Sequence, residues 1–303
     1  MDVSLKNFAN LDVLSRSMRR RTLAVAAAQD QEVLETVSEA EKRGIADAVL
    51  VGNREVLRPM ADRFGLSGAE IVDEADPAKA ALIAAGLVRE GRADVLMKGM
   101  VNSSDFLRAV LDRERGLRAG GLLSHLAAFE VPSYPKLMFH TDGGMNPSPD
   151  LAEKEQILEN AVNALRKLGI SRPKIAALAA NEAVNSKIPA SVDAGALRKM
   201  ALEGRFGPCV LEGPVAMHVA LSREAAQHKR IESEISGDCD LFLVPDIQAG
   251  NLIGKTMIYL AGAKMAGVIL GARRPVVMTS RAENAEGKLN SILLACLIAG
   301  GEA

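Results

Sequence analysis

The stretch GDCDLFLVPDIQAGNLIGKTMIYLAGAKMAGVILGARRPVVMTSRAENAEGKLNS, residues 237–291, decides the fold. Asp240–Val244 reads as a short buried strand and Pro245–Gly254 as a polar loop with two glycines. An apolar helix follows, then a second strand, then a strand ending on Ser280–Arg281 ahead of a last helix. Two polar loops therefore stand at strand ends. In an open parallel sheet, ligands bind outside the carboxyl ends of strands, where loop amides and helix N-termini face an anion. Ser280, Arg281, Asn251 and Lys255 all carry hydrogen-bond donors, so these residues predict an anion site and nothing narrower.

Working outward, the N-terminal half repeats the alternation. TLAVAAA (Thr22–Ala28) reads as a buried strand, and Val33, Leu34, Val37 and Ala40 form one face of a helix. AVLVG (Ala48–Gly52), a helix to Phe64, a short strand near Ile71 and a helix to Gly91 opened by Asp76–Pro77 come next. Such a succession of βα units predicts an α/β fold, a parallel sheet with helices on both faces. In ADVLMKGMVNSSDFLRAVL (Ala93–Leu111), a strand runs into Lys98–Gly99, and Asn102, Ser103 and Ser104 lead into a helix containing Arg108. Those residues fit either a phosphate or phosphopantetheine contact or a capped helix after a turn.

GLLSHLAAFEV (Gly121–Val131) and KLMFHTDGGMNPSPDL (Lys136–Leu151) read as two strands and a loop crowded with Asp142, Gly143, Gly144, Asn146 and Pro147. The domain crossover is placed in this loop, and Asp150 starts a helix of about five turns. A lone histidine on an apolar strand, as at His125, reads first as a satisfied core residue. The second half continues with a strand and loop at Pro173–Asn185, a helix at Pro189–Glu203 and a strand and helix at Gly207–Ser222. The last helix, Ala285–Ala299, is expected to pack on the first domain.

Composition narrows the chemistry. With 37 basic and 38 acidic residues the net charge is -1, so no global field recruits nucleic acid or an anionic membrane. The basic run Arg16–Arg21 reads as a solvated helix end rather than a nucleic-acid arm. Cys209, Cys239 and Cys296 are widely spaced and suit reduced core thiols, without a zinc set. No apolar run approaches the roughly 20 residues of a membrane span, and no leader-like apolar region opens the chain, so a cytoplasmic protein is expected. Aromatic residues make up 3% and Trp is absent, which argues against stacking platforms for bases.

Two nucleotide motifs are near misses. GNLIGKT (Gly250–Thr256) lacks the P-loop spacing, because position 249 would have to be glycine and is Ala249. The first βα turn, AAAQDQ, has no GxGxxG for a dinucleotide. No aspartate cluster suggests a divalent metal.

VPDIQAGN followed by GK, and then GARRPVVMTSRAENAEGKLNSI, resemble the C-terminal signature of the phosphate acetyl/butyryltransferase family, most closely its phosphate butyryltransferase branch. The Lys98–Gly99 segment is similar to that branch too, which favours its functional reading. The resemblance implies a two-domain, three-layer α/β/α architecture of mostly parallel sheets, like isocitrate and isopropylmalate dehydrogenases. Residues 1–142 and 272–303 would form the first domain and 143–271 the second, with the active site in the cleft between them.

The implied reaction converts a short-chain acyl-CoA, butyryl or acetyl, and phosphate to acyl phosphate and CoA. A homodimer is implied, with CoA as substrate and no tightly bound cofactor or metal. Arg281 would clamp phosphate bidentately, and Ser280 would hydrogen-bond the leaving sulfur or the oxyanion. Lys98, Gly99, Ser103, Ser104, Arg108, Asp246, Asn251 and Lys255 are the candidate CoA and phosphate contacts.

Two departures from the family pattern bear on the base. Acetyl-specific relatives place an aspartate seven residues after the serine, where this chain has Gly287; Glu286 or Glu283 stands as a substitute. His218 occupies a position where relatives carry an aspartate, and is a second candidate base. The alternatives are an acyl carrier protein-dependent acyltransferase of lipid synthesis and a non-catalytic CoA- or acyl-phosphate-binding protein.

Overall fold

A computed structural model describes residues 5–279 and 283–301. The chain opens with α1 (Phe8–Arg16), β1 (Arg21–Ala26), α2 (Gln31–Lys42), β2 (Ala46–Gly52), α3 (Arg54–Arg63), β3 (Glu70–Asp73), α4 (Pro77–Arg89), β4 (Val95–Lys98) and α5 (Ser103–Leu111). It continues through β5 (Ser124–Glu130), β6 (Met138–Thr141), α6 (Leu151–Lys167), β7 (Lys174–Leu178), α7 (Pro189–Leu202), β8 (Val210–Val215), α8 (Met217–Leu221) and α9 (Arg223–His228). The last elements are β9 (Leu241–Leu243), α10 (Ile247–Tyr259), β10 (Lys264–Leu270), β11 (Val276–Val277) and α11 (Ala285–Gly300).

The residues group into two compact units. The first combines Ala9–Gly121 with Ala266–Gly300; the second holds Leu122–Met265 with short stretches of both termini. In the first unit the strands run in the order β3-β2-β1-β4-β11-β10. All neighbours are parallel except β10 and β11. Leu23–Ala28 are wholly buried at the centre of this sheet. Val33, Leu34, Val37 and Ala40 form the buried face of α2, as their spacing predicts. Ala80, Ala81, Ala84 and Ala85 give α4 a slim buried face that rests on β1 and β2.

Short polar side chains set the helix starts. Asp30, Asn53, Asp76 and Asn102 each accept the backbone N–H three residues on, satisfying a donor that the helix leaves unpaired. α11 is buried on every side from Gly287 to Ile298 and packs on α2, β4 and β11, as an all-round apolar helix must. The basic run is only partly the solvated helix end expected, because Arg16 closes α1 but Arg21 opens β1 with a largely buried side chain. Arg16, Arg19, Arg20 and Arg21 pair with Asp12, Asp94 and Asp47 at 2.6–3.6 Å.

In the second unit the order is β5-β6-β9-β7-β8, parallel but for the antiparallel pair β5–β6. β6 pairs with β9, Phe139 opposite Leu241, and this hydrogen bonding groups residues 122–142 with the second unit rather than with the first half of the chain. A charged network joins the strand starts. Lys136 Nζ lies 2.8 Å from Asp238 and 2.6 Å from Asp240, and Lys174 Nζ pairs with Asp238 at 2.5 Å. Burial opposes ionisation of Asp238, but its bonds to Lys136 and Lys174 win and lower its pKa.

One expectation needs correction. Pro245–Gly254 is not a loop, because α10 already begins at Ile247, with Asp246 as its cap accepting Ala249 N–H at 2.8 Å. The two glycines lie inside the helix for packing. A Cβ on Gly250 would sit 2.6 Å from Gly143 Cα, and one on Gly254 would sit 3.2 Å from the His140 ring.

Candidate functional site

The chain order of the first unit creates a switch point. From β1 the chain builds outward through β2 to β3, then crosses back so that β4 lies on the other side of β1. Ligands in open α/β sheets bind outside the carboxyl ends of the strands at such a reversal. Here those ends are Ala26–Ala28 after β1 and Lys98–Gly99 at β4.

Their backbones are in unusually close contact. Gly99 N–H donates to Ala26 O at 2.9 Å and Met100 N–H to Ala27 O at 2.8 Å. A Cβ on Gly99 would stand 2.4 Å from Ala27 O, so no larger residue fits. Ala27 itself has φ +49°, a left-handed conformation that costs a non-glycine residue about 1–2 kcal/mol. Strain of this kind clusters at ligand sites.

β11 reaches the same edge. Its parallel register puts Val276 opposite Leu96 and Val277 opposite Met97, so the strand delivers its carboxyl end beside Lys98. Ser280 and Arg281 follow three and four residues after Val277 and lie outside the described residues. α11 starts at Ala285, and Asn284 Oδ1 accepts the Gly287 N–H at 2.8 Å.

Lys98 is partly exposed at the end of β4, with Nζ 3.5 Å from Gly99 O. Ser103 and Ser104 lie exposed in the first turn of α5, where Asn102 is the cap and also receives the Ser104 hydroxyl at 2.8 Å. The capped-helix reading is thus correct for Asn102, and four residues, 99–102, separate Lys98 at the end of β4 from the first turn of α5. Arg108 is turned to Asp105 at 2.5 Å on the exposed side of α5. Glu286 is exposed in the first turn of α11 and borders a groove of about 810 Å³ with Glu35, Glu39, Lys42, Arg43 and Arg63.

In the second unit, Asn251 and Lys255 are exposed on successive turns of α10, and Asp246 is committed to the cap. His218 is exposed on the short α8, after the carboxyl end of β8. Sequence reasoning passed over a histidine pair in this unit. His125 on β5 and His140 on β6 each bury an Nδ1 with no partner among the described residues, so His125 is not the satisfied core residue expected.

Burial holds both imidazoles neutral. It lowers the pKa of His140, together with His125, to about 3, and lowers that of His125 against the pull of Asp142. Asp142 is itself held by Gly144 N–H, Met145 N–H and Asn146 Nδ2 at 2.6–2.9 Å. The crowded glycines of that loop were the visible signal. Burial also pushes the thiols of Cys239 and Cys296 up to about 12, consistent with inert core cysteines.

Among the described residues no cluster of His, Cys, Asp and Glu suits a metal ion, and no helix is long and apolar enough to cross a membrane. A Lys-Gly strand end and a hydroxyl-bearing helix start, joined by a strand leading to Ser-Arg, make an edge suited to holding phosphate oxygens.

Comparison with known proteins shows the family. A family model described as phosphate acetyl/butaryl transferase matches residues 70–296. The chain is 44% identical to the phosphate butyryltransferase of Clostridium acetobutylicum over 300 residues, 98% of this chain and 100% of that relative. The crystal structure of a branched-chain phosphotransacylase from Enterococcus faecalis V583 superposes with a TM-score of 0.82 at 32% identity, covering 93% of this chain and all of the other. A 4-hydroxythreonine-4-phosphate dehydrogenase from Klebsiella pneumoniae shares the fold alone, at a TM-score of 0.56 and 13% identity over 92% of this chain and 99% of that one.

Proposed function

Since the chain belongs to the phosphate acetyl/butaryl transferase family, we propose that it transfers a short acyl group between coenzyme A and inorganic phosphate, with butyryl preferred and acetyl next. The observation that supports this reading is the parallel register of β11 on β4, which sets Val277, three residues before Ser280 in the sequence, opposite Met97, next to Lys98–Gly99 at the switch point. Likeness to a phosphate butyryltransferase over nearly the whole chain leaves the carrier-protein-dependent and non-catalytic alternatives without support.

In the acyl-phosphate-forming direction, a phosphate oxygen attacks the thioester carbonyl, the C–S bond breaks, and the phosphate proton passes to the departing thiolate. Two anions must be held together for this. Arg281 takes phosphate oxygens on its planar fork, and Lys98 adds a second cation. Ser280 donates to the leaving sulfur or the oxyanion, a contact worth about 10²- to 10³-fold in rate. Gly99, Ser103 and Ser104 offer amides and hydroxyls to phosphate groups, while Arg108, Asn251 and Lys255 suit the outer anionic part of CoA. Asp246 supports binding by starting α10. His218 and Glu286 remain candidate proton carriers. CoA is a substrate here, and the protein acts as a cytoplasmic homodimer.

Thiol release from acetyl-, butyryl- and longer acyl-CoAs, with and without phosphate, tests the reading. Release should require phosphate, peak at butyryl-CoA and fall at least 100-fold in Ser280→Ala. Absence of phosphate-dependent release with every acyl-CoA overturns it.

A further inference from the structure

A groove of about 810 Å³ lies between α2, the end of α3 and the start of α11, all within the first unit. That volume falls in the usual range of small-molecule sites. Apart from Glu286 on its rim, no residue lining it has a part in acyl transfer. Its floor holds a donor without an acceptor. Asn290 lines the groove at 7% exposure, and its Nδ2 is buried with no partner among the described residues. The hydroxyls of the floor are already committed: Thr36 donates to Glu32 O at 2.7 Å and Ser38 to Phe64 O at 2.6 Å. A buried N–H without an acceptor is costly, so Asn290 is suited to a carbonyl brought by a ligand.

The walls carry charge of both signs in a fixed order. Lys288 of α11 bonds Glu32 near the start of α2, and the Ser38 bond to Phe64 brings the end of α3 against the middle of that helix. Glu35 therefore stands toward the α11 end, and Lys42 with Arg63 toward the α3 end. All three are exposed and none is in an ion pair among the described residues, whereas Glu39 and Arg43 neutralise each other at 2.7 Å. Glu35 and Lys42 are seven residues apart, hence on one face of α2 and separated by about 10 Å along its axis. Phe64 and Leu289 add apolar lining.

We propose that this groove binds a short peptide in extended conformation, its ammonium toward Glu35, its carboxylate on Lys42 and Arg63, and a backbone carbonyl on Asn290 Nδ2. Length and charge select this class. Three extended residues span about 10 Å at 3.3–3.6 Å each, which matches the spacing of the charged ends, whereas a single amino acid reaches about a third of it. A simple anion would meet the carboxylates of the walls as well as the cations, and a simple cation the reverse. A peptide also brings the amide acceptor that Asn290 lacks. Binding here does not depend on acyl transfer.

Isothermal titration calorimetry of the full-length protein tests this, using trialanine, its N-acetyl and C-amide forms and free alanine, with melting temperatures to confirm that each variant folds. Trialanine should fill one saturable site with a Kd of about 1 mM or tighter. N-acetylation and C-amidation should each weaken binding about threefold, as exposed ion pairs allow, and free alanine should give no saturable heat. Arg63→Gln should cost about threefold with the free acid and nothing with the amide; Glu35→Gln should cost as much with the free amine and nothing with the acetylated peptide. Asn290→Leu should weaken all three peptides about tenfold.

No saturable heat with trialanine in the folded parent overturns the proposal. So does alanine binding as tightly as trialanine, which removes the role of length. A loss from Arg63→Gln as large for the amide as for the acid removes the carboxylate contact and overturns it as well. Because Glu35 and Arg63 are exposed, their variants decide the matter even where Asn290→Leu fails to fold; a folded Asn290→Leu with unchanged affinity places the peptide elsewhere and sinks the assignment.

Discussion

His140 illustrates how one residue sets a pH limit on the fold. Its imidazole is buried between Phe129, 4.9 Å away edge to face, and Gly254 of α10, and its folded pKa is about 3. An unfolded histidine titrates near 6.5. Below about pH 6.5 the unfolded chain therefore takes up a proton that the native state refuses. The stability is full above that pH and is lost as pH falls toward 3, by up to about 1.4 kcal/mol per pH unit. We expect urea unfolding of His140→Phe to show a shallower loss between pH 7 and 5 than the parent; identical slopes would assign the acid sensitivity elsewhere. At this scale the sequence was partly legible. Asp76 and Asp150 announced their helix starts, because capping is a contact over three residues. His125 reads as a core residue from its apolar strand, but that it and His140 would each bury an unpartnered Nδ1 on adjacent strands was not legible, because β5 and β6 pair only in the folded chain.

Among the elements, α10 departs furthest from its local appearance. Two glycines after a proline suggest a loop, but Gly250 and Gly254 are one helical turn apart and let α10 close against Gly143 and His140. Alanine in a helix interior is ordinarily better than glycine by about 1 kcal/mol. Gly250→Ala should do the reverse and lose about 1–3 kcal/mol, since its methyl would meet Gly143 Cα at 2.6 Å and Val244 at 2.8 Å. Chemical denaturation measures this, and a stabilised variant would mean the two backbones separate freely. The charged network at the starts of β6, β7 and β9 gives a second expectation. Lys136 is 14% exposed and faces two aspartates, so Lys136→Met leaves Asp238 and Asp240 with half their partners and should cost about 3 kcal/mol at pH 7. Asp238 has its pKa lowered, so the network's contribution is present above the ordinary aspartate range and fades as pH falls below it. The parent and Lys136→Met should therefore converge in stability under acid, and a constant gap would rule out the ionic origin.

For the whole molecule, the two units differ in how the chain supplies them. Residues 122–265 carry β5 to β9 and nearly all of the second unit in one run. The first unit instead needs β10, β11 and α11 from the far end of the chain, and residues 9–121 alone would leave β4 as an open edge without α11 behind it. We expect a 122–265 fragment to melt cooperatively and a 9–121 fragment to aggregate, as followed by circular dichroism and light scattering. A soluble, cooperative 9–121 fragment would show that α11 is dispensable to the first unit. By itself, the sequence determined the α/β class, the helix starts, the neutral charge and the residue types of an anion site. Each of these depends on neighbours within a few positions or on composition. Tertiary structure alone decided which strands adjoin, because register is settled by partners far apart in the chain. Val277 beside Met97, Phe139 beside Leu241 and Glu283 resting over Gly287 against a hydroxyl bound to β10 are contacts of that kind.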